Sequence, residues 1–105
     1  MTYFRLKKEK EFQKVFHKGK RLSSPSVTIV YFPADKLKMG ISIGKKHGKS
    51  VQRNRIKRLL REAFRLNAPS IKGNYLLILL PRISEKYSFH VFYNHIKSMI
   101  EKGKL

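Results

Sequence analysis

The sequence predicts an α+β fold in two layers, with elements in the order α-β-β-α-β-α and room for an extra short strand near Arg21. Apolar residues recur at helical spacing in three separate segments, which predicts three helices. Between them, "SVTIVYF" is rich in β-branched and aromatic residues, "MGISIG" alternates, and "YLLILL" is apolar without a break, which predicts three strands. Helices and strands are interspersed without a regular βαβ repeat, so the sheet is expected to be mostly antiparallel. The 105 residues fit one domain, spanning 1–105.

Each element has a local cause. Phe12, Val15 and Phe16 share one face of a helix over Lys8–Lys18, and Gly19 stops it. The strand Ser26–Phe32 ends at Pro33. In the strand Met39–Gly44, the residues Met39, Ile41 and Ile43 face the core, while Gly40, Ser42 and Gly44 leave a flat backbone surface open to close approach. The short connection between these strands predicts an antiparallel hairpin. Ser50 is expected to cap a helix from Val51 to about Leu66. At about 100° per residue, Ile56, Leu59, Leu60, Ala63 and Phe64 fall on one side, and Asn54, Lys57, Arg58, Arg61 and Arg65 on the other. Pro69 bars continuation. The unbroken run Tyr75–Leu80 fits a central strand buried on both faces. Ser88 is expected to cap a last helix, whose stripe Phe89, Phe92, Tyr93, Ile96, Met99 and Ile100 packs the core, with Gly103 as its stop.

Charge is the strongest global signal. Twenty-five Lys and Arg face six Asp and Glu, a net charge of +19. Such self-repulsion destabilises a compact chain unless a polyanion relieves it. Nucleic acid is the usual polyanion; an anionic membrane is the rival, but it calls for an amphipathic helix rather than a folded core. There is no cysteine, which excludes disulfides and thiolate metal sites and fits a cytoplasmic location. The N-terminal stretch has no apolar run of the secretory type, and the longest apolar run is too short to span a bilayer.

Several chemistries fit poorly. "GKKHGKS" resembles a phosphate-binding loop but is one residue short of the spacing that such a loop requires. The six acids, Glu9, Glu11, Asp35, Glu62, Glu85 and Glu101, are scattered, so no carboxylate set for a metal-dependent nuclease is evident. His90 and His95 are five apart, not the four of a helical metal pair. His47 reads as a surface histidine among cations. One Asp makes a catalytic triad improbable.

Phosphate contact remains. From Lys45 to Arg65 the cations are Lys45, Lys46, Lys49, Arg53, Arg55, Lys57, Arg58, Arg61 and Arg65, and only Glu62 opposes them. Arginine's planar fork suits phosphate. This pattern predicts an RNA- or DNA-binding domain. A helix that reads duplex DNA usually carries several base-reading amides, and only Gln52 and Asn54 qualify.

The stretch "GISIGKKHGKSVQRNRIKRLLREAFR" resembles the signature of the bacterial ribonuclease P protein component, with Lys45-Lys46, Gly48 and Arg53-Asn54-Arg55 at the family's positions. "EFQKVFHKGKR" resembles its first helix, and the order of elements matches from about Arg5 to Ile100. The family usually carries Ser at Gly44, an aliphatic residue at His47, and Gly-Asn-Ala where Gly48-Lys49-Ser50 stand. The resemblance implies one RNA-binding domain that serves as the non-catalytic subunit of an endoribonuclease removing the 5′ leader from precursor tRNA. It implies Arg53, Asn54, Arg55, Lys57, Arg58, Arg61 and Arg65 against the catalytic RNA, with Lys49 and Ser50, in the loop before the helix, contacting RNA phosphates. Phe12, Phe16, Lys45 and Lys46 are implied beside the single-stranded leader. Mg²⁺ is expected to be bound mainly by the RNA and not by the protein alone. The expected partners are that RNA and precursor tRNA, with no membrane and no obligate protein partner. A left-handed crossover around the basic helix is implied as well, against the right-handed norm. The alternative is a structural RNA binder of ribosomal type.

Overall fold

The structure is a computed structural model that describes residues 3–105. The chain runs β1 (Phe4–Arg5), α1 (Glu9–Lys18), β2 (Lys20–Ser23), β3 (Val27–Pro33) and β4 (Lys38–Ile41). A 3₁₀ turn (Lys45–His47), α2 (Ser50–Asn67), a second 3₁₀ turn (Ala68–Ser70), β5 (Tyr75–Pro81) and α3 (Phe89–Gly103) follow. The extra strand near Arg21 is β2, and β1 is an element that the sequence did not suggest.

The five strands form one mixed sheet in the order β1-β4-β5-β3-β2. The expected hairpin between β3 and β4 does not form. β5 lies between them, antiparallel to β3 from Val27↔Pro81 to Pro33↔Tyr75 and parallel to β4 from Lys38↔Leu76 to Ile41↔Leu79. The physical reason is the unbroken apolar run of β5, which is fully buried from Leu76 to Leu79 and needs a neighbour on each edge. The connection at 34–37 is long enough to step over one strand. β1 pairs parallel with β4, and β2 pairs antiparallel with β3. The longest pairing is the antiparallel one between β3 and β5.

Helices cover both faces, so the expected two layers become three. On one face Ile29, Leu77 and Leu79 pack with Ile56, Leu60 and Phe64 of α2 and with Phe92 and Ile96 of α3. On the other face Val30, Leu76 and Ile78 pack with Leu6 and with Val15 of α1. The sequence could not separate these faces, because both sides of β5 are apolar. A buried polar contact joins the two helices of the first face: Asn67 Nδ2 donates to Ala63 O at 3.0 Å and to Tyr93 O at 3.1 Å. Pairing both amide hydrogens removes the cost of burying them.

The helix ends differ from expectation. Lys49, not Ser50, occupies the N-cap of α2, and Ser50 is already helical. Ser88 stands at the N-cap of α3, but its hydroxyl makes no capping bond. α3 includes Gly103, and the left-handed residue that closes it is Lys104, at φ 55°. Gly19 ends α1 in an extended conformation, and a β-carbon there would come within 2.8 Å of Tyr31 O.

Candidate nucleic-acid interface

The segment before α2 is held by two contacts. Gly48 has φ 110° and ψ −166°, a conformation that side-chain-bearing residues avoid. His47 Nε2–H donates to Pro81 O at 2.8 Å, which ties the turn to the end of β5. The ring also lies 6.2 Å from Tyr87. His47 is therefore a half-buried tether rather than a free surface histidine. Lys45, Lys46, Lys49 and Ser50 are all exposed around it.

From this turn α2 presents Asn54, Arg58, Arg61 and Arg65, all exposed, along one ridge. Arg55 is exposed beside it, while Arg53 and Lys57 are half-buried. Ile56, Leu60, Ala63 and Phe64 are fully buried on the opposite side, so the ridge is rigidly presented. Arg53 Nε is buried without a hydrogen-bond partner. Among the described residues the ridge has one acid contact: Arg65 Nε donates to Glu62 Oε2 at 3.2 Å. That bond, with the Arg65 charge, holds the Glu62 carboxyl below its ordinary range and raises Arg65. Burial pushes the Tyr3 hydroxyl upward, against the opposing pull of Arg61 and Arg65.

A groove of about 760 Å³ runs between α1 and α2 beside β4. β1 pairs with β4 only as far as Met39, so Gly40 and Ile41 line the groove beyond the end of β1. Phe12 reaches it from α1, and Lys57 and Arg61 from α2. The glycine is required here. A β-carbon on Gly40 would lie 2.6 Å from Phe12 Cζ and 3.1 Å from Leu6 Cβ. Gly40 thus lets the aromatic ring descend onto the sheet, and the flat backbone surface expected from "MGISIG" is occupied by Phe12.

The residues expected beside the leader are not all together. Phe12 lines the groove; Phe16, Lys45 and Lys46 do not. Both phenylalanines are half-buried against the α1-side core, so each packs and is partly exposed. Lys57 and Arg61, expected on the face toward the catalytic RNA, also line the groove with Phe12. Tyr3, Arg5 and Lys7 also line it and were missed. Their only sequence signal is the alternation of "YFRLK", too short to identify a strand.

The acids do not converge. Among the described residues no group of three or more His, Asp or Glu side chains is placed to hold a metal ion. Glu11 pairs with Lys38 at 3.1 Å, and Glu62 pairs with Arg65. This donor set does not fit a protein-held Mg²⁺.

A family model described as Ribonuclease P matches residues 2–104. The chain belongs to the bacterial ribonuclease P protein family. The ribonuclease P protein component of Clostridium kluyveri is 38% identical over 110 residues, covering 100% of this chain and 98% of that protein. The one from Natranaerobius thermophilus is 38% identical, covering 95% and 90%. The ribonuclease P protein structure from Staphylococcus aureus superposes with a TM-score of 0.82 at 27% identity, covering 96% of this chain and 95% of that one. The Thermotoga maritima ribonuclease P protein gives 0.82 at 26%, covering 93% and 96%. The chain therefore shares its fold with the solved ribonuclease P proteins. Among the described residues, no helix is long and apolar enough to cross a membrane.

Proposed function

We propose that the chain is the protein subunit of the ribonucleoprotein that removes the 5′ leader from precursor tRNA, and that it holds RNA on two adjoining surfaces. The exposed ridge of α2, with Asn54, Arg55, Arg58 and Arg65, faces the catalytic RNA. The groove floored by Phe12 and Gly40 and flanked by Lys57 and Arg61 takes the single-stranded leader. Lys45, Lys46, Lys49 and Ser50 contact phosphates at the turn before α2. Mg²⁺ belongs to the RNA in this reading.

The observation that supports it best is the pairing of a rigid cationic ridge with a groove whose floor is an aromatic ring. Phosphates meet guanidinium groups, and a base meets the ring. A purely structural RNA binder accounts for the ridge but leaves the groove without an occupant. The test adds pure protein to a bacterial ribonuclease P RNA at low Mg²⁺ and measures leader removal. The expected result is faster cleavage at the mature 5′ end, with no turnover by RNA-free protein. Unchanged cleavage, or turnover by the protein alone, would contradict the proposal.

A further inference from the structure

A second concavity, of about 770 Å³, lies on the other side of the Arg5–Lys7 segment, between the start of α1 and the turn after β3. Arg5 and Lys7 line both it and the groove beside β4. The two depressions therefore share one cationic wall.

The second concavity is also strongly basic. Lys8, Lys14 and Lys36 stand exposed on it. Lys38 in its lining pairs with Glu11, and Asp35 is the other acid. Phe4 lies within it, 54% exposed, and the Lys36 ammonium sits 5.2 Å from the centre of its ring. A single exposed aromatic is ordinary on a protein surface. One set inside a cationic concavity offers a base a ring to stack on and its phosphates several ammonium groups, the combination that suits single-stranded nucleic acid. Duplex RNA keeps its bases stacked and does not present them to such a ring. None of Asn54, Arg55, Arg58 or Arg65 reaches the concavity, so it is separate from the α2 ridge.

We propose that this concavity is a second binding site for single-stranded RNA, and that its occupant is the distal part of the leader, continuing from the first groove past Arg5 and Lys7. The proposal rests on the placement of the leader in the first groove. The leader then meets two aromatic platforms in sequence, Phe12 and Phe4, with cations between them.

The test uses the reconstituted complex and precursor tRNAs whose leaders lengthen stepwise up to about 16 nucleotides, the upper end of typical single-strand sites. Affinity is expected to rise in two stages. Phe4→Ala should abolish the second stage, a loss of about fivefold or more for long leaders. The double variant Lys8→Ala/Lys36→Ala, at exposed positions, should weaken long leaders and lower their log–log salt slope by about 1.4. Both variants should leave short leaders, mature tRNA and assembly with the RNA subunit unchanged. A single stage in the wild-type complex would overturn the proposal while leaving the first groove's role intact. Equal losses for short and long leaders, or weakened assembly with the RNA subunit, would also overturn it. Absence of any preference for precursor over mature tRNA in the wild-type complex would overturn both this proposal and the reading on which it rests.

Discussion

Gly40→Ala tests how the aromatic floor of the groove is built. The new methyl group would stand 2.6 Å from Phe12 Cζ and 3.0 Å from Phe12 Cε1, well inside van der Waals contact. The ring must then lift away from β4. Leu6 Cβ, 3.1 Å from the same point, limits the alternative of a sideways shift. Overpacking of this kind costs about 1–3 kcal/mol. Replacing glycine in a strand returns about 0.5–1 kcal/mol through the unfolded chain. The net expectation is a loss of about 1 kcal/mol, or about 4 °C in melting temperature for a domain of this size. In a Phe12→Ala background the clash is gone, and Gly40→Ala should become neutral or slightly stabilising. The double-mutant cycle should therefore show coupling of about 1–2 kcal/mol. Thermal melts of the four proteins measure it. In the same set, Gly40→Ala should weaken binding of precursor tRNA to the reconstituted complex more than that of mature tRNA. Additive melting changes would show that Phe12 and Gly40 are not in the contact described, and the groove's geometry would be refuted.

Further outcomes follow from the ridge and its turn. Arg58→Ala, or Arg55→Ala, should raise the dissociation constant for the RNA subunit and reduce the log–log salt slope by about one unit, as measured by filter binding over a salt series. Glu62→Gln should strengthen that association, because it releases Arg65 from its one acid contact. Acid acts in the same direction: the Glu62 carboxyl is held low, so its contact with Arg65 persists at neutral pH and is lost as pH falls through the lowered value. Gly48→Ala should lower stability by about 1–3 kcal/mol in denaturant titrations, since φ 110° is a conformation that alanine resists.

Much of this molecule is legible in its residues. The core face of α2 follows directly from the spacing of Ile56, Leu60, Ala63 and Phe64, and the outward ridge is its complement. The burial of β5 follows from "YLLILL". Its insertion between β3 and β4 does not, because strand order depends on long-range pairing, and a short loop is compatible with either a hairpin or a one-strand skip. The second helical layer was missed for a related reason: an unbroken apolar strand says that both faces are covered without saying by what. Within the candidate site, the cations were evident, but their grouping was not. Lys57 and Arg61 line the same groove as Phe12 because the groove lies beside β4, a fact that helical periodicity alone cannot supply. The role of His47 depended on the end of β5 coming within 2.8 Å, a contact across 34 residues of sequence.

In the proposed function one protein grips two RNAs with separable surfaces. The most direct measurement is the affinity of the reconstituted complex for precursor and for mature tRNA, alongside the affinity of the protein for the RNA subunit, in Phe12→Ala and Arg58→Ala variants. Loss of a stacking ring costs about 1–3 kcal/mol per base. Phe12→Ala should accordingly shrink the precursor-to-mature preference by about fivefold or more and leave subunit assembly unchanged. Arg58→Ala should weaken subunit assembly and leave the preference intact once the complex is saturated. If both variants reduce both quantities alike, the two surfaces are not separable, and the division of labour between the groove and the ridge is wrong.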